Sequence, residues 1–233
     1  VYFRGAGMAE RAGISMERAI ELHAEAHGNP DDPNKEHPLD AVMWHPSGEH
    51  EPRWSSPFGD GRPGWHVECA AMATSILGLA IDIHAGGEDL RFPHHTYESA
   101  MAEAATGVTP YARAWMHMGT VCINGEKMAK STGNLVFLRE LLRQWQPEAI
   151  RLMLLDRPWS ESWDYDESLL HASVARLDEL RGASAVSSGS SEASTAEACR
   201  LLVEGQQTTA AIDLGITEQG ETARLVGRLL GVI

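Results

Sequence analysis

The chain has 233 residues, 43% of them hydrophobic and 22% charged, which allows one large or two small cored domains and excludes a disordered or fibrous chain. No apolar run approaches the ~18 residues of a membrane span, and the start carries no secretory h-region. A formal net charge of −14 counts mildly against nucleic acid as the partner of the whole surface.

Val1-Tyr2-Phe3-Arg4 reads as a strand remnant rather than a translation start, since no initiator Met precedes it. Ser15–His27 is predicted helical, with a Ser cap and Met16, Ala19, Ile20 and Ala24 at helical spacing. Pro and Asp crowd residues 30–38 as a loop, and a second irregular stretch runs from Pro46 to Gly64. Trp65–Leu77 reads as a helix closed by Gly78. Ala80–His84 reads as a buried strand entering a Gly86-Gly87 loop, and His94–Ala105 as the next helix. Ala114–His117 and Thr120–Ile123 are strand candidates flanking Gly119. Such alternation implies an α/β sheet with sites at the carboxyl ends of its strands.

After Phe137 the pattern turns helical: Phe137–Trp145, Pro147–Leu155, Asp166–Arg181, Ala196–Val203 and Glu221–Leu230. A Ser-rich segment over 182–195 has the composition of a flexible linker. The expected organisation is therefore an α/β domain over 1–136 and a helical bundle over 137–233. Cys69, Cys122 and Cys199 are odd in number and widely spaced, which disfavours a disulfide scaffold and suits a reducing cytosol. Arg139, Arg143, Arg151 and Arg157 are either a local basic stripe or ordinary helix charges.

Three constellations carry chemistry. His94 and Glu98 stand at i and i+4 on one helix, and Cys69 lies on a separate one. A thiolate, an imidazole and a carboxylate suit Zn²⁺ with a position open for substrate; a core cysteine with a helix-capping histidine is the plainer account, and His95 is the nearest decoy ligand. Gly86, Gly87 and Asp89 form either a loop that approaches a ligand closely or a simple turn. Trp65 either walls a small pocket or packs a core. Lys127 and Lys130, in Lys127-Met128-Ala129-Lys130-Ser131 between Gly125 and Gly133, can wrap a polyphosphate and supply positive charge where negative charge develops.

Together, Gly61-Arg62-Pro63-Gly64-Trp65-His66-Val67-Glu68-Cys69, the His84–Leu90 segment, Phe92-Pro93-His94-His95 and the lysine loop resemble class I cysteinyl-tRNA synthetases. They equally resemble the paralogous cysteine:glucosaminyl-inositol ligase of mycothiol synthesis. The resemblance runs over roughly Val1–Arg181 and implies a Rossmann-type catalytic domain followed by a helical bundle. It implies Cys69, His94 and Glu98 as zinc ligands, Trp65 in a cysteine pocket, Gly86, Gly87 and Asp89 on the adenylate loop, and Lys130 as the ATP-binding lysine. The implied activity joins L-cysteine to AMP, with ATP (and Mg²⁺) as substrate, in a cytoplasmic monomer that has no membrane partner. Zinc contact with the substrate thiolate would refuse serine, so no editing domain is needed.

Ala129 stands where the family's loop has serine, and Ala85 replaces the first of three glycines. The family's amino-terminal half, with its His-Ile-Gly-His motif and a further cysteine ligand, would precede Val1, so the chain is expected to be a fragment that is inactive alone. For the acceptor, Glu98 and the Arg139–Ala149 segment favour tRNA(Cys), which is placed first. Gly28–Pro33 and Gly133–Phe137 favour glucosaminyl-inositol. A non-catalytic cysteine-binding module is the rival from another class.

Overall fold

The computed structural model describes residues 1–187, 189–204 and 206–233. It divides into two compact units, Val1–Met118 and Gly119–Ile233. None of the described helices is long and apolar enough to cross a membrane.

In the first unit, β1 (Tyr2–Phe3) pairs antiparallel with β2 (Ala41–Val42), and β3 (Trp44–His45) with β4 (Arg62–Pro63). Helix α1 (Met8–Ala12) and helix α2 (Met16–Glu25) follow β1, and the Ser15 side chain caps α2 by accepting from the Arg18 N–H. Helix α3 (Trp65–Leu77) matches its predicted span. Strand β5 (Ile81–Gly87) runs farther than predicted, through both glycines. It pairs in parallel with β6 (Ala112–Met118), in the register Ile81 to Ala112 and Gly87 to Met118. Parallel strands need a crossover, supplied here by α4 (Thr96–Thr106) after a tight turn over Glu88–Leu90. Between them, Phe92 is extended (φ −137°, ψ 135°), so the histidines precede α4 rather than lying inside it. Tyr97, Leu39, Ala19, Phe92, Met101 and Tyr111 form the core of this unit.

His23 on α2 is buried in that core, and its Nδ1 has no hydrogen-bond partner among the described residues. Burial, reinforced by the Lys35 ammonium 3.3 Å from Nε2 and partly offset by Asp40, lowers its pKa to about 4. The folded state therefore holds a neutral ring, whereas the unfolded chain takes up a proton near the ordinary value of about 6.5. Stability is complete above that value and is lost as pH falls toward 4. The urea midpoint is expected to drop between pH 7 and pH 5, with a shallower pH slope in His23→Gln; an unchanged slope in that variant would assign the loss to other groups.

In the second unit, β7 (Val121–Ile123) pairs antiparallel with β8 (Glu126–Lys127) and in parallel with β9 (Trp163–Asp164). The β7–β8 hairpin turns on Asn124-Gly125, both at positive φ (53° and 79°), as a two-residue Asn-Gly turn requires. Short α5 (Leu138–Leu141) and α6 (Pro147–Leu155) lead to α7 (Ser168–Ser184), α8 (Glu192–Val203), α9 (Thr208–Glu218) and α10 (Gly220–Leu230). Leu152, Leu177, Leu180, Ala211, Ile212 and Val226 make their common core. Helix takes up both ends of the Ser-rich segment expected as a linker: α7 continues to Ser184, and Ser191 caps α8 by accepting from the Ser194 N–H. Ser188 of that segment lies outside the described residues.

Candidate metal and lysine-loop sites

Helix α3 begins at Trp65, and the opening turn of α4 is fed by His94 and His95. These starts and the β5–β6 pair bring Trp65, His66, His84, His94, His95, Glu98, Tyr111 and His117 into one cluster. Glu98 is 2% exposed. Its Oε1 accepts from the Tyr111 hydroxyl at 3.0 Å, while Oε2 lies 3.3 Å from His84 Nε2 and 3.9 Å from His94 Nε2. Burial pushes the Glu98 carboxyl up, but His84, Tyr111 and His94 outweigh it and hold it below the usual carboxylate range. Burial lowers His94, and it lowers His66 to about 3 with help from His94, so these rings are neutral with lone pairs available. His66 Nδ1 and His94 Nδ1 are 2.9 Å apart, and His95 Nδ1 is 2.8 Å from His117 Nε2.

Of the three residues that the resemblance implies as ligands, His94 and Glu98 stand side by side. Cys69 is half-buried on α3, its thiol pushed up first by burial and then by the Glu98 and Glu68 charges. The described donors that converge most tightly are a different trio: His84, His95 and Glu98, whose ligand atoms all lie within 4.8 Å of one another. His95, anticipated only as a decoy, thus joins a converging donor set with Glu98, although His94 Nε2 lies 3.9 Å from Oε2. Imidazoles, an ionised buried carboxylate and a nearby thiol form the N, O and S donor set that suits Zn²⁺.

Trp65 stacks on His94, ring centres 4.1 Å apart and 16° from parallel, yet keeps 48% of its surface exposed. That is a wall with one face still open, as a pocket residue needs. The two glycines have a local reason: a Cβ on Gly86 would meet His95 Cε1 at 2.6 Å, and one on Gly87 would meet Asp89 Oδ1 at 2.4 Å. They let β5 end directly against the histidine cluster. Tyr111 and His117 were given no role from the sequence, and His84 was read only as the end of a strand and the start of the glycine-loop motif. The alternation of Trp115 and His117 along β6, both facing the same side, is the signal that could have found His117.

The lysine loop belongs to the second unit. Lys127 ends β8, and Lys130 is exposed on the turn that follows. Asn134 closes the loop on itself: Oδ1 accepts from the Ala129 N–H (2.9 Å) and the Thr132 hydroxyl (2.7 Å), and Nδ2 donates to the Lys127 carbonyl (3.1 Å). Gly133 makes the return at φ 70°. Exposed hydrogen bonds contribute about 0.5–1.5 kcal/mol each, so Asn134→Ala should open the loop enough to speed tryptic cleavage after Lys127 and Lys130 by about tenfold or more. Equal cleavage rates would mean that Asn134 does not hold the loop.

The family described as "tRNA synthetases class I (C) catalytic domain" matches residues 1–175, and the chain belongs to it. It is 42% identical over 235 residues to a cysteine–tRNA ligase of Pseudomonas aeruginosa (98% of this chain, 49% of the relative). It is 46% identical over 171 residues to an L-cysteine:1D-myo-inositol 2-amino-2-deoxy-alpha-D-glucopyranoside ligase of Corynebacterium aurimucosum (73% of this chain, 41% of the relative). The chain thus spans about half the length of the curated relatives it matches. Among solved structures, Mycobacterium tuberculosis methionyl-tRNA synthetase bound by methionyl-adenylate aligns at TM-score 0.53 and 16% identity, covering 98% of this chain and 50% of that one; the likeness is one of fold.

Proposed function

We propose that this chain is the metal-site and lysine-loop portion of an ATP-dependent, AMP-forming cysteine ligase whose acceptor is tRNA(Cys), acting as a cytosolic monomer. The observation that carries the reading is Glu98, buried against His94 in a chain of this family. Cys69, His94 and Glu98 would hold Zn²⁺, and the metal would supply a soft contact for the substrate thiol, favouring its ionised form. Trp65 closes one side of the cysteine pocket, and the Gly86-Gly87-Asp89 turn takes the adenylate. Lys130, with Lys127, neutralises charge on the departing pyrophosphate as the cysteine carboxylate displaces it from the α-phosphate. Mg²⁺ would accompany ATP.

Ile83 is 67% exposed and Trp115 39% exposed on the β5–β6 pair. Parallel sheets are ordinarily covered on both faces, which supports a full-length protein in which more chain packs there and the 233 residues alone give no adenylation. A second reading, transfer of cysteine to glucosaminyl-inositol, is favoured by the 46% identity to the Corynebacterium relative. The deciding experiment offers full-length protein, ATP and labelled cysteine either tRNA or glucosaminyl-inositol. Transfer to tRNA supports the first reading, and transfer only to the sugar amine overturns it in favour of the second. Adenylation without transfer to either would keep the ligase reading and point to another acceptor, whereas no adenylation and no transfer would favour a cysteine-binding module.

A further inference from the structure

Both oxygens of Glu98 are engaged by protein groups that none of the expected ligands supplies. Tyr111 is fully buried, and its hydroxyl donates to Oε1 at 3.0 Å. The residue itself is anchored on two sides. Its backbone N–H donates to Glu103 Oε1 on α4 at 3.0 Å, and its carbonyl accepts from the Ile81 N–H at the start of β5 at 2.8 Å. The donor to Glu98 is therefore fixed relative to both the strand and the helix that build the site. On the other side, His84 Nε2 lies 3.3 Å from Oε2, the oxygen that also approaches His94.

The last torsion of a glutamate is broad and roughly two-fold, so an unrestrained Glu98 carboxylate would rotate, and a metal would have to pay the ordering cost. We propose that Tyr111 and His84 are positioning residues that clamp the Glu98 carboxylate, aim Oε2 toward His94, and thereby set the affinity of the metal site. The inference rests on the reading of Cys69, His94 and Glu98 as ligands. Tyr111 carries the larger share, because its hydroxyl has a single acceptor and a rigid mount. Outer partners of this kind are worth about 10- to 100-fold in metal affinity.

The test uses full-length protein stripped by chelator and then titrated with Zn²⁺ against a competing chelator, and with Co²⁺ to follow the thiolate-to-cobalt charge-transfer band. Tyr111→Phe should weaken Zn²⁺ binding about 10- to 100-fold, leave the thiolate band in place once saturated, and leave the thermal midpoint of the metal-free protein near wild type. His84→Gln, which keeps an N–H donor, should lose less affinity than His84→Ala. Wild-type affinity in Tyr111→Phe, while Cys69→Ala loses the metal, would overturn the clamp and leave the ligand reading intact. Unchanged affinity in Cys69→Ala and in His94→Ala would instead remove the ligand reading on which the clamp rests. X-ray absorption on the zinc-loaded His84→Ala protein showing one imidazole fewer would make His84 a ligand, with His95 and Glu98, and overturn its positioning role.

Discussion

Replacing Lys130 by Ala in the full-length protein is expected to slow cysteine-dependent ATP–pyrophosphate exchange by ~10²–10³, the scale of losing one preorganised donor to developing charge. The expectation follows from where the loop holds this side chain. Lys130 sits on an exposed turn whose backbone is fixed from both ends by Asn134 and whose return is made at Gly133. A loop already closed on its own backbone needs no reordering when the pyrophosphate departs, so removing the ammonium is expected to act on the transition state rather than on amino-acid binding. Cysteine affinity should therefore stay near wild type while the exchange rate collapses. Lys127→Ala should cost less, because that residue lies in the β8 ladder, where its register opposite Cys122 restricts it. Exchange at the wild-type rate in the Lys130 variant would reject the lysine-loop assignment.

Much of the fold was legible because its long elements carry a clear period. Helix α3 begins and ends where Trp65 and Gly78 predict, β7 ends at Ile123 as expected, and α6 occupies Pro147–Leu155 with proline at its first position. Helix α9 was not legible. Its Thr208-Thr209, Ile212, Ile216 and Thr217 are poor helix formers, and Gly215 interrupts the pattern. That glycine lies against α10, where a Cβ would meet the Ala223 Cα and Val226 Cγ2 at an ordinary contact distance of 3.4 Å, and Ala211 and Ile212 on the same helix are fully buried. Tertiary contact therefore overrides propensity, and nothing in the local sequence announces it. The two-residue strands β1 to β4 are too short to have a period at all.

The candidate site divides in the same way. His94 and Glu98 could be read as neighbours because four residues on a helix bring side chains together; the structure does bring them together, although the first histidine lies just before α4 rather than within it. The other half of the cluster comes from strand pairing. His84 faces Trp115, and Gly86 faces His117, only because β5 and β6 run parallel in one register. Tyr111 reaches Glu98 from the residue before β6 begins. Contacts made through a register depend on which strands pair, and a single sequence does not state that. The places of His84, which opens the glycine-loop motif, of His117 and of the tyrosine that holds Glu98 were therefore hidden although their sequence neighbours were in plain view.

Removing the thiol from the metal site should have the second large effect. Cys69→Ala in the full-length protein is expected to lose stoichiometric zinc, a loss exceeding the ~100-fold upper end for outer partners, because it removes the only sulfur donor among the expected ligands in this chain. The thiol is half-buried and pushed up by burial and by the Glu98 and Glu68 carboxylates, so in the metal-free protein it is protonated at neutral pH. Binding a divalent cation must release that proton. Zinc affinity should therefore rise with pH through the neutral range in the wild-type protein, and in Cys69→Ala this rise should largely vanish along with the affinity. The functional consequence is loss of selection. A site built on a specific contact to a substrate thiol can reject the hydroxyl analogue by ~10⁴–10⁵, whereas packing against the Trp65 ring alone sees cysteine and serine as nearly the same size. The variant should thus activate cysteine poorly and discriminate against serine little. Metal analysis that still finds one zinc per chain in Cys69→Ala, with serine refused as before, would move the ligand set to His84, His95 and Glu98 and leave Cys69 as a packing residue of α3.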